Sequence, residues 1–416
     1  MKKMIFSLTL LSVVAQTEVH AFRPAPESEN VGELIVGRQI LSLDEAARLG
    51  LNEGRTNLDV WSGNYWPHYQ GSLAVRYRDA SFISLINKNE QYGTFKELTE
   101  KKPLYTYSGR ENLLSPAEKY DLVVGDRTMG LTKYSWDLGR RASLIGDVPI
   151  WRGICDGWAS AGQMMPRPRR SVVMNTPEGT PVTFYPEDIK ALGSLLYARA
   201  QGEPIFIGKR CRSRLLGLFT NACDETNAAN LHLALLNRVG KMGKSFIADV
   251  SPGPEVWNYP VKEYSINYYN VLTDDQSNNF LEVAEPFVRK NRFARSGKRH
   301  KRTAFVVGVK AVVRYADMRR SNLLEVDSEE QDKVLEKEYL YDLELDHSYN
   351  VLGGEAFSGN LPDFIWAPND RTYPLSEVEV PGVTLMSHEI PAMALAASRL
   401  GQPLSVIVER LFEASK

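Results

Sequence analysis

The chain has 416 residues, is 43% hydrophobic and 24% charged, and carries 50 Lys+Arg against 51 Asp+Glu for a formal net charge of -1. That length and apolar content suffice for two or three packed units of ~150 residues. The charge balance removes the electrostatic case for nucleic acid, and no stretch after the N-terminus approaches the ~18 apolar residues of a membrane span, so stable membrane insertion is not expected.

In chain order, MKKMIFSLTLLSVVAQTEVHA comes first: Lys2 and Lys3, a short apolar stretch from Met4 to Val14, and small residues around Ala21. This pattern predicts a secretory signal over residues 1–21 cleaved after Ala21, hence a secreted or periplasmic protein. An N-terminal extension is expected over 22–110. Within it SLDEAARLGL reads as a short helix opened by Ser42, and VWSGNYWPHYQGSLAVRYRD reads as a packed aromatic loop. SPAEKY predicts a capped helix with Ser115 as cap and Pro116 at the first helical position.

CDGWASAGQMM predicts a helix stopped by Pro166 and Pro168, with enough small residues to sit close against a sheet. RRSVVMNTPEGTPVTFY predicts a hairpin, and YPEDIKALGSLLYARA a helix with Pro186 in its first turn. LHLALLNRVGKMGKSFIADV reads as two strands around a Gly-Lys-Met-Gly turn. TAFVVGVKAVVRYADM and KEYLYDLELDHSYNVLGGEAF read as further strands, and the end of the chain, over 371–416, as helices broken near Gly401 and Pro403.

Three cysteines in a protein expected outside the cytoplasm leave at least one unpaired. Cys211 and Cys223 lie close enough in sequence to bridge, which would leave Cys155 as the free thiol. Cys155 follows Gly153-Ile154 at the expected helix start, where unpaired N–H groups and the helix dipole favour a thiolate. Asp156 beside it opposes that charge.

A thiol nucleophile needs a base, and the base needs a group to orient it. Six histidines are available. His347 beside Asp346 is one candidate. His232 is the stronger one, because in a hairpin centred between Gly240 and Lys241 it faces Asp249 directly across the strands. GKMGKS resembles a phosphate loop, but Arg238 occupies the position where that loop needs glycine. There is no CxxC, HExxH or EF-hand pattern, so no metal or cofactor site is legible. Asp274-Asp275 with Ser277-Asn278-Asn279 is at most a weak calcium-like cluster. The basic run from Arg289 to Arg302 reads as a solvated loop, a dibasic processing site, or an anchor to an anionic wall or surface.

WRGICDGWASAGQMMPRP, TFYPEDIKAL, LHLALLNRVG, KSFIADV and GPEVWNYPVKEY follow one another as in the secreted transglutaminase elicitor family, known from oomycete cell-wall glycoproteins and bacterial relatives. VWNYPVKEY is similar to the surface segment that plants recognise in the oomycete members. VWSGNYWPHYQG, YSGRENLLSPAEKYDLVVGD and LELDHSYNVLGGEAFSGNLPDFIWAP extend the resemblance over residues 57–368. It implies an α+β, papain-like transglutaminase-type core over 111–370, with a helix bearing the nucleophilic cysteine packed on an antiparallel sheet. It implies Cys155 as nucleophile, His232 as base and Asp249 as orienting acid, with Trp151, or failing that Trp136, as a tryptophan N–H donor to the oxyanion. It implies a thioester route from protein glutamine to lysine or polyamine acceptors, with deamidation as side reaction, and calcium dependence by family analogy only. A papain-like cysteine peptidase and a catalytically silent secreted binding protein are the alternatives.

Overall fold

The computed structural model describes residues 31–35, 37–88, 99–143, 148–200, 204–209, 226–251, 255–288, 299–356, 361–368 and 389–416. The expected signal segment, Cys211, Cys223, His388 and most of the basic run lie outside the described residues.

The strands are β1 (Glu53–Arg55), β2 (Val172–Asn175), β3 (Pro181–Phe184), β4 (Ile205–Gly208), β5 (Ile247–Asp249), β6 (Asn258–Tyr269), β7 (Gln276–Ser277), β8 (Glu285–Pro286), β9 (Phe305–Ala316), β10 (Val334–Leu345), β11 (Val351–Gly353) and β12 (Phe364–Ala367). The helices are α1 (Leu43–Arg48), α2 (Ala80–Lys88), α3 (Pro116–Val123), α4 (Gly130–Ser143), α5 (Cys155–Met164), α6 (Pro186–Ala198), α7 (Ala228–Ala234), α8 (Phe280–Val283), α9 (Ile390–Arg399) and α10 (Ser405–Ala414).

One large antiparallel sheet runs in the order β11-β10-β9-β6-β5-β12-β4, and β2 with β3 forms a separate hairpin. β6 is the hinge of the sheet. Its first residues pair with β5, in the register Asp249↔Asn258. Beyond a bulge between Val261 and Glu263 it pairs with β9 on one side and β1 on the other. The bulge inserts one residue, so the faces exchange: Val261 and then Tyr264, Ile266 and Tyr268 all enter the same core.

Two cores flank the sheet. One gathers α7 with Ala248, Val261, Val309, Val313 and Ile365. The other gathers α5, α6 and α10 with Ile247, Phe364 and Trp366. Successive strand residues point to opposite faces, so Ala248 and Ile247 mark the two sides. This is the α+β arrangement expected, with the cysteine-bearing helix on an antiparallel sheet.

Several local readings hold. Ser115 and Glu118 form a reciprocal capping box, with Pro116 at the first helical position of α3. Met165 is extended, as the residue before a proline must be, and ends α5. α5 does lie close to a neighbour, but the closest approach is to α6. A Cβ on Gly157 would stand 2.1 Å from the Ser194 carbonyl oxygen of α6.

One reading fails. LHLALLNRVGKMGKSFIADV does not form two strands: residues 228–234 are α-helix, Leu235–Lys241 continue as a π-helix, and only Ile247–Asp249 is strand. The segment is buried on every side, which erases the periodicity that separates helix from strand.

Candidate active site

Cys155 opens α5 with a free thiol and is 6% exposed. Its partners come from the segment entering β6. The thiol faces the Val256 carbonyl oxygen at 3.7 Å, and the Asn258 Nδ2 donates to Sγ at 3.3 Å. The backbone N–H dipoles of Asn258 and Asp156 add a further pull toward the thiolate. Burial pushes the thiol up to about 11, the Asp156 carboxylate adds to this, and the three N–H donors pull the other way. The site therefore holds a neutral thiol beside a buried amide donor.

Asn258 is buried, and its orientation is fixed by Trp366, whose Nε1 donates to Oδ1 at 2.8 Å. Trp366 is fixed in turn by its pairing opposite Ile247 and by stacking on Phe206, with centroids 5.5 Å apart. The Trp257 ring meets Tyr65 edge-on at 5.3 Å, while Ile154 N–H donates to the Tyr65 carbonyl at 2.8 Å. This seats the aromatic loop 60–77 against the turn before Cys155.

Asp249 ends β5 on the same face as Ile247, and so on the Cys155 side of the sheet. Its Oδ1 accepts the Trp257 N–H at 3.0 Å and the Ser251 N–H at 3.4 Å, shaping the approach to β6.

The expected His232–Asp249 pairing is corrected by the structure. His232 lies in α7, which packs in the core on the opposite face of the sheet from Cys155. Its Nδ1 pairs with the Tyr341 hydroxyl at 2.9 Å, and its Nε2 is buried without a hydrogen-bond partner among the described residues. Burial pushes its pKa down to about 3, so it is a neutral core imidazole. The sheet separates it from both Cys155 and Asp249, so the expected Cys155–His232–Asp249 triad is not assembled.

The rival His347 is exposed and lies edge-on to Phe305 at the far end of the sheet. Trp136 is a core residue of α4, and Trp151 is half-buried in the turn before α5. The indole that reaches the site is that of Trp366, at one remove through Asn258. Sequence reading passed over Asn258 and Trp366, although both stand in stretches that carried the family resemblance. Their signal was a polar residue and an indole in otherwise apolar strand runs, WNYPV and DFIWA.

Among the described residues, no group of three or more His, Cys, Asp or Glu is placed to hold a metal ion. Asp275 accepts from Thr273 in a tight exposed turn. Within the basic run, the Arg299 side chain is buried and paired with Asp342 at 2.5 Å and Glu344 at 3.3 Å. No helix of the described residues is long and apolar enough to cross a membrane.

The transglutaminase elicitor family model matches residues 42–389. The chain belongs to the transglutaminase elicitor family. Its fold is similar to the crystal structure of the GP42 transglutaminase from Phytophthora sojae, with a TM-score of 0.60 and 20% sequence identity over 92% of this chain and 96% of that one. No curated protein matches it. In this transglutaminase elicitor family member a cysteine opens a buried helix against the sheet.

Proposed function

We propose that this family member is a secreted thiol acyltransferase that joins protein glutamine to lysine or small primary amines. Cys155 Sγ bonds to the γ-carboxamide carbon, and its proton leaves with the carboxamide nitrogen as ammonia, giving a thioester. An amine then attacks that carbonyl and its proton returns to the sulfur, leaving an isopeptide bond and the free thiol. Attack by water gives glutamate instead. The observation that carries this reading is a free thiol at the first position of a ten-residue helix, with the buried Asn258 amide donating to it.

The experiment is incorporation of a labelled primary amine into a glutamine-rich protein, comparing wild type with Cys155→Ala, with and without calcium and reductant. Label transferred by wild type and absent with the variant supports the proposal. Peptide fragments without label would instead favour a cysteine peptidase. A second reading, a secreted binding protein with a silent site, is favoured by the burial of the thiol and its high pKa. It would be upheld by wild type transferring no label under any condition. Export by the 1–21 signal predicts a mature N-terminus at Phe22, checked by N-terminal sequencing of the exported protein.

A further inference from the structure

We propose that Asn258, locked in one orientation by Trp366, is the catalytic residue that stabilises negative charge on the Cys155 sulfur and on the acyl oxygen. This rests on the acyl-transfer reading for the acyl oxygen, and on the geometry alone for the sulfur. Side-chain amides can rotate to present either oxygen or nitrogen, and only their partners decide which. An indole N–H can only donate, so Oδ1 must face Trp366, and Nδ2 is thereby aimed at Sγ at 3.3 Å.

Asn258 is 4% exposed and Trp366 7%, so no water competes freely for these groups. A donor this close to the sulfur also lies within reach of an oxygen on the carbon bonded to that sulfur. The helix start that carries the thiol and the strand that carries the amide thus meet at the sulfur. An amide takes no proton at neutral pH. Asn258 therefore lowers the energy of the anionic states without moving a proton, and Trp366 acts as a positioning residue.

The test uses the full chain and two readouts. Alkylation of Cys155 by iodoacetamide across pH reports thiol ionisation whether or not the protein transfers amines. Asn258→Leu is expected to shift the alkylation midpoint upward by about one pH unit and to lower kcat for amine incorporation by ~10²–10³-fold, with KM changed by less than about 3-fold. Trp366→Phe keeps the amide but frees its rotation, and is expected to shift the midpoint in the same direction by a smaller amount, with kcat down about 10-fold. An unmoved midpoint in a folded Asn258→Leu overturns the proposal, as does a loss carried by KM. If that variant does not fold, an unmoved midpoint in Trp366→Phe overturns it. If wild type transfers no amine, the acyl-transfer reading falls, and the alkylation midpoints alone decide for or against Asn258.

Discussion

Replacing Gly157 with alanine tests how closely α5 and α6 are packed and how far the site depends on it. The added methyl would stand 2.1 Å from the Ser194 carbonyl oxygen, 2.6 Å from the Ala198 Cβ and 2.8 Å from the Ala198 nitrogen. Two of these are backbone atoms, so no side chain can rotate away and the helices must separate. Alanine gains about 1 kcal/mol over glycine in helix propensity. Overpacking costs typically 1–3 kcal/mol, and more where backbone is met. The expected balance is a loss of up to about 2 kcal/mol, or roughly 2 °C in Tm for a chain this long. Gly157 lies two residues from Cys155, so the displacement also pulls Sγ away from the Asn258 amide at 3.3 Å. The assay is urea denaturation together with iodoacetamide labelling, with Gly162→Ala as control, because its nearest neighbour is the Trp61 carbonyl oxygen at 3.2 Å. If Gly157→Ala proves as stable as the control, the helix contact is not the constraint described.

A buried neutral His232 must stay unprotonated to fold, while the unfolded chain binds a proton below pH ~6.5. Its folded pKa is depressed to about 3, so stability is lost as pH falls through that window, by about 2 kcal/mol between pH 6.5 and 5. His232→Gln should flatten this acid slope in denaturant titrations and leave Cys155 alkylation unchanged; a loss of alkylation would restore His232 to the site. Arg167 binds Asp59, Asp327 and Asp332 at 2.5, 2.8 and 2.7 Å, joining the exit of α5 to the loop after β9. Arg167→Met should cost about 3–5 kcal/mol by denaturation, because Lys190 and Lys262 still reach Asp327 and Asp332 but Asp59 loses its close partner. Cys155 is raised to about 11 in the fold, so at pH 8 its alkylation should run about a hundred-fold slower than in the urea-unfolded chain, and stability should fall as pH rises from ~9 to 11. Equal labelling rates in the two states would refute that thiol environment.

The strand and helix pattern was legible wherever one face meets water or a chemical stop signal is present. The capping box at Ser115, the Thr176–Thr180 turn and the alternation of β9 needed no tertiary information. The helix start at Cys155 was legible for the same reason, since Gly153 before it and Pro166 after it bracket the segment. The failure at 231–249 has a physical cause. α7 and the π-turn behind it are buried all round, so an apolar run carried no period, and a short distance between histidine and aspartate looked like a hairpin. Two local signals argued otherwise: Asn227, whose side chain caps the Ala229 N–H, and a run whose sole β-branched residue between Leu231 and Gly240 is Val239. Asn258 was harder to find. Its face depends on the β5 pairing before the bulge, and beyond the bulge the same strand turns its alternate residues to the other core. A partner chosen by sequence spacing could only be a titratable residue, because those advertise themselves; an asparagine becomes chemically significant once Trp366 has forced its oxygen away from the sulfur. Its importance is therefore a property of three strands and a helix together, and the polar residue in WNYPV marks the position without showing which face or partner it has.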